Sequence, residues 1–362
     1  MDPITLVLFV VGLAALVGGA ELLVRGAAQL AAVVGVSQLV IGLTVVAFGT
    51  SAPELAVSVS SALRGEASLA IGNVVGSNIF NVLFILGVSA LVAPLVVSTQ
   101  LVRLDVPLMI AASLVVWAIA RDGAVGRIEG ALLFAAIVVY TVFLVRKSRA
   151  EERAARAAVE ICAPPRRGVR AVLLDLAMVV VGLALLVLGS GWLVDGAIAI
   201  ARFLGVSETV IGLTLVAGGT SLPEVATSVL AVIRGQRDIA VGNVVGSNLF
   251  NLLSVLGLSA VVAPEGLVVP ASIIAFDLPV MTAVAAACLP IFFAGHRIGR
   301  WEGALFLGYY VAYTLYLVLD ATEHDLLHTY RLVMAAFVVP LTAITLAILA
   351  FRAWRQERRA AR

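Results

Sequence analysis

Charge and cysteine are scarce in this sequence of 362 residues. Only 13% of the residues are charged, and the two cysteines, Cys162 and Cys288, form no CxxC pattern. A disulfide framework or a thiolate metal site is therefore not expected. The net charge of +2 predicts no nucleic-acid partner. HExxH, GxSxG and Walker-type GxxxxGKS/T motifs are also missing, so we expect neither an enzyme nor a bound cofactor.

Apolar residues are abundant instead. They make up 62% of the chain, and the mean hydropathy is +1.12, more than a soluble domain of this size could bury. Eleven apolar segments separated by polar breaks predict transmembrane spans at 4–24, 36–63, 70–92, 105–120, 126–146, 171–192, 206–233, 240–262, 273–294, 299–320 and 331–351. The sequence thus predicts an all-α polytopic membrane protein in a lipid bilayer, with no obligatory protein partner evident.

Basic residues are concentrated in two segments, and nearly all of them are arginines. One segment is the polar linker between the fifth and sixth spans, and the other is the C-terminal tail. Basic segments remain in the cytoplasm. With eleven spans, this rule places the N-terminus outside and the C-terminus in the cytoplasm. The first span has no basic flank before it, so we expect a retained helix rather than a cleaved signal.

Two polar sequences each occur twice within the apolar segments. The first, the Pro-Glu cassette, is Gly-Thr-Ser-x-Pro-Glu at 49–54 and 219–224. The second, the Asn-Ser cassette, is Gly-Asn-Val-Val-Gly-Ser-Asn at 72–78 and 242–248, and its copies continue to Asn81 and Asn251. The offset is constant, because 224 minus 54 and 251 minus 81 both give 170. The two halves of the chain are therefore repeats of one another.

Each repeat contains five predicted spans. Because five is odd, the second repeat must cross the membrane in the opposite direction, which is the inverted architecture of many alternating-access transporters. The predicted organisation is a first repeat at 1–146, a cytoplasmic basic linker at 147–170, a second repeat at 171–320, and an accessory helix with a basic tail at 321–362. The fold class is thus a ten-helix core of two inverted repeats plus one extra C-terminal transmembrane helix.

The Pro-Glu cassettes offer oxygen ligands at membrane depth. Pro53 and Pro223 lack an amide hydrogen, so we expect them to break their helices and to loosen nearby carbonyls. Glu54 and Glu224 follow directly, although a charge at the centre of a span costs about 2.5–3.5 kcal/mol. Such carboxylates, together with the neighbouring hydroxyls, predict a cation site. Two negative charges could balance one Ca²⁺, balance sodium ions, or be protonated.

The Asn-Ser cassettes extend the polar surface. Asn73, Ser77 and Asn81 are spaced i, i+4, i+8 and share one helix face, and the second repeat has the same pattern. The paired glycines of this cassette allow close helix approach. We therefore expect these helices to pack against the broken ones and to complete the coordination of the ion.

At these duplicated motifs the chain resembles the calcium/cation antiporter superfamily, and most closely the prokaryotic sodium/calcium exchangers. The resemblance implies a ten-helix core and exchange of Ca²⁺ for Na⁺, with four cassette helices around the ions. It implies calcium ligands at Glu54, Glu224 and the carbonyls of Thr50 and Thr220. The sodium ligands that it adds are Ser51, Ser77, Ser221, Ser247 and carbonyls near Ala47 and Ala217, with Asn81 and Asn251 at the remaining central positions.

The chain departs from some relatives that have Asp where Asn81 or Asn251 stands here. This departure removes a potential charge and leaves the counter-ion, including K⁺ dependence, open. The expected function is a secondary antiporter in the inner membrane of a prokaryotic cell that exchanges Ca²⁺ for Na⁺. The alternative is a Ca²⁺/H⁺ exchanger, or a K⁺-dependent Na⁺/Ca²⁺ exchanger, that uses the same glutamates. A passive channel is a further alternative, which the inverted repeat disfavours.

Overall fold

The structure is a computed structural model that describes residues 3–158, 168–204 and 217–360. Within these ranges, nine helices are long and apolar enough to cross a membrane. They are Ile4–Val34, Ala67–Val92, Leu101–Asp122, Arg127–Ala154, Val169–Phe203, Arg237–Val262, Ile273–Phe293, Arg300–Ala321 and Leu326–Thr345. A further crossing joins Gln38–Thr50 to Ala52–Leu63 with a bend of 46°. The repeat-related helix Leu222–Ile233 begins shortly after residues that lie outside the described ranges.

The outer surface of the helices is apolar and the polar side chains are inside. Large apolar side chains such as Val10, Ile128 and Val139 are exposed, whereas most serines and asparagines of the cassettes are buried. This distribution is the reverse of a soluble protein and suits a lipid environment, in which polar groups must find partners within the protein.

The bend in the second crossing confirms the break predicted at the first Pro-Glu cassette. Ser51, with φ −80° and ψ 8°, separates the two helices, and Pro53 lies in the first turn of the second one. Ser221 has nearly the same angles, φ −89° and ψ 8°, ahead of Pro223. Proline is tolerated in a first turn because its missing amide hydrogen has no helical partner there. Each glutamate therefore lies in the first turn of a new helix.

π-helical turns occur at repeat-related places in the described helices. One pair, Asn81–Leu86 and Asn251–Val255, begins at the last asparagine of each Asn-Ser cassette. Another pair, Leu101–Asp105 and Ile273–Asp277, ends at an aspartate. π-turns are rare and often occur at functional positions, since they rotate the following side chains relative to the rest of the helix.

Glycines allow the first helices of the two repeats to touch along their length. A Cβ atom added at Gly182 would lie 2.7 Å from the carbonyl oxygen of Gly19, and one added at Gly189 would lie 2.7 Å from that of Gly12. Such small residues let transmembrane backbones approach closely, where dispersion contacts hold them together. The helices Pro3–Val34 and Val169–Phe203 therefore form a tight antiparallel pair.

An ion pair joins one member of this helix pair to the end of a cassette helix. The Arg234 guanidinium donates from Nε to Glu21 Oε2 at 2.8 Å, and its Nη2 lies 2.8 Å from Glu21 Oε1. Arg25 also contacts Glu21. The corresponding arginine of the first repeat, Arg64, bonds instead to Ser60 of its own helix.

Two short antiparallel ribbons connect the repeats. Leu95–Val96 pairs with Arg297–Ile298, and Ala124–Val125 pairs with Leu267–Val268. In both ribbons one strand comes from each repeat, so the halves are tied together at two places outside the helices.

Some helix ends differ from the predicted spans. The helix predicted at 126–146 extends as Arg127–Ala158, so the first part of the predicted linker is helical. The helix predicted at 105–120 begins at Leu101, because a π-turn precedes it. The remainder of the linker up to residue 167, with Cys162, and residues 206–216 of the seventh predicted span lie outside the described ranges.

The C-terminal helix packs against the last helix of the core. The Tyr330 hydroxyl donates to the carbonyl oxygen of Ala312 at 2.7 Å, and the Tyr309 hydroxyl contacts Thr342. Arg331 lies 2.7 Å from Asp320. These polar contacts attach the extra helix to the second repeat.

Candidate ion-binding site

The two cassette glutamates meet at the centre of the protein. Glu54 and Glu224 are both completely inaccessible to solvent. Ser221 donates a hydrogen bond to Glu54 Oε1 at 2.8 Å, and Ser51 donates one to Glu224 Oε1 at 3.1 Å. Each carboxylate is therefore held by a hydroxyl of the opposite repeat. This crossing places two acidic groups from opposite halves beside one another.

The pairing of each serine with the glutamate of the opposite repeat differs from what the spacing within one cassette predicts. Three-residue spacing places Ser51 and Glu54 on one helix face, but the backbone break between them directs the Ser51 hydroxyl to Glu224. The carboxylates also lie at the amino ends of their helices, where the partial positive charge of the backbone favours an anion.

A second crossed set of bonds fixes the broken segments. The Thr50 hydroxyl donates to Asn243 Oδ1 at 3.1 Å, and the Thr220 hydroxyl donates to Asn73 Oδ1 at 3.3 Å. Asn73 in turn donates to the carbonyl oxygen of Glu54 at 3.2 Å. The Asn-Ser helix of each repeat thus holds the backbone on which a glutamate is carried, as the polar stripe predicts.

The amides of these two asparagines also bond to serines one turn beyond the glutamates. Asn73 donates to Ser58 Oγ and Asn243 donates to Ser228 Oγ, both at 2.9 Å. The sequence-based prediction did not include Ser58 and Ser228, although these serines are separated by 170 residues, the same offset as the cassettes. We interpret them as positioning residues for the Asn-Ser cassettes.

Several buried polar atoms of the cassettes and of the asparagines that follow them make no hydrogen bond with the described residues. They are Glu54 Oε2, Glu224 Oε2, Asn78 Oδ1, Asn81 Oδ1, Ser247 Oγ and both amide atoms of Asn251. A buried polar atom without a partner costs about 1–3 kcal/mol, and more if it is charged. Most of these atoms are oxygens, the ligand type that Ca²⁺ and Na⁺ prefer. Their donor chemistry therefore suits a hard cation as the missing partner.

The sequence-based ligand set omitted Asn78 and Asn248. Asn81 Nδ2 donates to Asn248 Oδ1 at 3.1 Å, which links the two Asn-Ser helices directly. Asn78 and Asn248 each direct their amide nitrogen to a methionine sulfur, at Met281 and Met109 respectively. They were missed because they lie one position away from the i, i+4, i+8 stripe, although they also recur at an offset of 170.

The structure brings the predicted side-chain ligands together. Apart from Thr220, which is partly buried, all of them are buried inside the helices: Thr50, Ser51, Ser77, Asn81, Ser221, Ser247 and Asn251. Ser77 lies 3.2 Å from Ser221. The Ala47 carbonyl accepts the Ser51 amide at 3.0 Å and lies 3.4 Å from the Thr50 hydroxyl, so this oxygen already has two donors within the helix. Ala217 begins the short helix Ala217–Gly219.

The charge at this site comes from the two carboxylates. No group of three or more histidine, cysteine, aspartate or glutamate side chains occurs among the described residues. The geometry therefore suits a cargo whose charge is balanced by two negative groups and whose shell is completed by neutral oxygens.

Comparison with known proteins identifies the family. The model of the sodium/calcium exchanger protein family matches residues 4–146 and 174–319. The chain belongs to this family. It is similar to the sodium/calcium exchanger MaX1 of Methanosarcina acetivorans, with 33% identity over 88% of this chain and 99% of that one. It is also similar to the inner membrane protein YrbG of Escherichia coli, with 38% identity over 71% of this chain and 79% of that one.

A solved structure shows the same fold. The sodium-calcium exchanger NCX_Mj, soaked with 10 mM Na⁺ and no Ca²⁺, matches with a TM-score of 0.74 and 30% identity, over 86% of this chain and 98% of that one. The predicted fold class, two inverted five-helix repeats with an added C-terminal helix, is confirmed. The prediction of an antiporter rather than an enzyme is confirmed as well.

Proposed function

We propose that this exchanger carries Ca²⁺ and Na⁺ in turn at the site between Glu54 and Glu224. The observation that supports this most directly is the crossed pairing of the two glutamates. Each fully buried carboxylate has one oxygen held by a serine of the opposite repeat and a second oxygen without a partner among the described residues. An ion bound there would touch both halves, and relative movement of the halves would change its access.

The charge balance explains why exchange is obligatory. Two buried carboxylates without a cation are expensive in a membrane interior, whereas one Ca²⁺ or a pair of Na⁺ ions makes the site neutral. The protein can therefore change its access readily when it is loaded, but not when it is empty. This difference is what separates an antiporter from a leak.

We assign the calcium ligands to Glu54, Glu224 and the carbonyls of Thr50 and Thr220. Hydroxyl oxygens add the sodium positions, at Ser51, Ser77, Ser221 and Ser247, with carbonyls near Ala47 and Ala217. Asn81 and Asn251 occupy the remaining central positions. The partnerless atoms of Asn81, Asn251 and Ser247 support these positions. No bound cofactor is needed for this chemistry.

We infer that the N-terminus lies outside and the C-terminus in the cytoplasm, in the inner membrane of a prokaryotic cell. The arginine-rich C-terminal segment supports this orientation. The similar YrbG is named as an inner membrane protein. Modification of single cysteines introduced near either end with a membrane-impermeant maleimide in whole cells would test it, and labelling of the C-terminal position would contradict it.

A Ca²⁺/H⁺ exchanger would use the same glutamates, but family membership favours sodium as the counter-ion. Proteoliposomes separate the two. We expect ⁴⁵Ca²⁺ uptake when vesicles are loaded with Na⁺ and diluted into choline, and no further uptake when a pH gradient is imposed without Na⁺. Uptake driven by the pH gradient alone would contradict the proposal, and a requirement for K⁺ would indicate the K⁺-dependent variant.

A further inference from the structure

A short series of hydrogen bonds leads from a methionine to the ion-binding site. Met109, on the helix Val106–Ile119, is 1% exposed, and its sulfur accepts from Asn248 Nδ2 at 3.4 Å. Asn248 Oδ1 in turn accepts from Asn81 Nδ2 at 3.1 Å. The remaining amide atom, Asn81 Oδ1, makes no hydrogen bond with the described residues. We call these three buried side chains the amide relay.

The methionine sulfur determines which way each amide group of the relay points. The oxygen and nitrogen of an asparagine side chain are similar in size, so shape alone does not choose between its two orientations. A thioether sulfur accepts hydrogen bonds but has no proton to donate. Asn248 therefore turns its nitrogen to Met109 and its oxygen to Asn81. Asn81 must then supply its nitrogen to that oxygen, which leaves the Asn81 oxygen at the free end of the relay.

The orientation of Asn81 matters because cations bind oxygen. Ca²⁺ and Na⁺ prefer oxygen ligands, whereas the hydrogens of an amide nitrogen repel a cation. In the opposite orientation, Asn81 would present its nitrogen at the free end, and the Asn248 oxygen would face the sulfur without a hydrogen bond between them. Both asparagines are at most 2% exposed, so water does not compensate for a misdirected amide.

The repeat-related side chains do not form a second complete relay. Met281 accepts from Asn78 Nδ2 at 3.6 Å, which reproduces the first step. Asn78 Oδ1 and both amide atoms of Asn251, however, make no hydrogen bond with the described residues. Within the described part of the protein, a methionine sulfur is therefore connected to the central amide of Asn81 but not to that of Asn251.

We propose that Met109 and Asn248 are positioning residues that turn the oxygen of Asn81, rather than its nitrogen, toward the transported ion. Met109 acts through Asn248, and Asn248 acts through Asn81, so neither has to touch the ion. The inference rests on the ion site proposed above, because Asn81 is one of its central positions. Met109→Leu keeps nearly the same volume but removes the acceptor, and the amides of the relay are then free to turn.

The test is a double-mutant cycle in proteoliposomes, with ⁴⁵Ca²⁺ uptake measured over a range of internal Na⁺ concentrations. Met109→Leu should raise the half-saturating Na⁺ concentration by about two- to tenfold, as expected for one hydrogen bond, and leave the maximal rate unchanged. In an Asn248→Ala background, where the relay is already cut, the same substitution should change it by less than about twofold. Met178→Leu, beside Gly26 of the first helix, is the control and should have no effect.

Two results would overturn the inference: an unchanged half-saturating Na⁺ concentration in Met109→Leu, or an equal rise in the native and Asn248→Ala backgrounds. Equal rises would show that the methionine only fills space. If Asn248→Ala does not fold, as judged by size-exclusion chromatography, Asn81→Ala takes its place, because it removes the amide that the relay orients. An unchanged Na⁺ dependence of Asn81→Ala itself would instead contradict the proposed ion site at this position, so the two failures are distinguishable.

Discussion

Replacing Glu54 by glutamine tests the central claim of the site most directly. Glutamine has nearly the same shape and keeps an oxygen that can accept from Ser221, which lies 2.8 Å from Glu54 Oε1. The substitution therefore removes one negative charge while leaving the crossed serine bond possible. Glu224→Gln does the same in the other repeat, where Ser51 is the donor.

The expected loss follows from the burial of the site. Both carboxylates are completely inaccessible, so solvent cannot compensate for the missing charge. Removing one partner of a buried ion pair costs about 3–5 kcal/mol. Since 1.4 kcal/mol corresponds to a factor of ten, the affinity for Ca²⁺ should fall by about one hundred to a few thousand fold in either variant.

The assay is Na⁺-driven ⁴⁵Ca²⁺ uptake into proteoliposomes, over a range of calcium concentrations that reaches well above the native half-saturation point. Glu151→Gln is the control, because Glu151 is largely exposed at the end of its helix and its contact with Lys147 is long, at 3.8 Å. Folding of each variant is checked by size-exclusion chromatography. A folded Glu54→Gln protein with calcium affinity within tenfold of the native value would refute this account of the site.

Three further predictions concern the hydroxyls, the amides and the helix pair. Ser221→Ala removes the donor to Glu54 and should weaken ion binding by about 1–3 kcal/mol, roughly 5- to 150-fold; an unchanged half-saturating Na⁺ concentration would contradict this. Asn251→Asp adds a third acid to the site and should make Ca²⁺ uptake fall as the aspartate is protonated on acidification, more steeply than in the native protein; identical pH profiles would show that position 251 does not face the ions. Gly182→Ala places a Cβ 2.7 Å from backbone atoms and should lower stability by about 1–3 kcal/mol, whereas Gly191→Ala, with open space around it, should not; equal melting temperatures would argue against the close helix contact.

The repeat made most of the architecture predictable. Because the cassettes recur at a constant offset, the number of spans, their inversion and the break before Glu54 and Glu224 follow from simple rules about charge, proline and membrane thickness. The spacing of residues along the sequence does not show which residue of the other repeat a side chain will contact. The bond from Ser51 to Glu224 depends on how two broken helices face each other, which is a tertiary property.

Other contacts between helices were not predicted, because the spacing of residues along a single helix does not describe them. Asn78 and Asn248 lie off the predicted stripe, yet Asn248 accepts a bond from Asn81 across the repeat interface. Tyr140 donates to Asp105 and Tyr313 donates to Asp277 from another helix of the same repeat, and the spacing along one helix does not show this pairing. Comparing the two repeats residue by residue shows that the pairing recurs.

The clasp between Glu21 and Arg234 makes the two repeats unequal. In the first repeat, Arg64 stands at the place of Arg234, but Gly191 occupies the position equivalent to Glu21, and Arg64 bonds to Ser60 of its own helix. If the two repeats exchange positions between the outward-open and inward-open states, the ion pair between Glu21 and Arg234 stabilises only one of these two states. An exposed ion pair worth up to about 1 kcal/mol biases the idle carrier about fivefold towards that end. The side of the membrane to which the unloaded protein opens therefore depends on Glu21, a side chain without an equivalent in the second repeat.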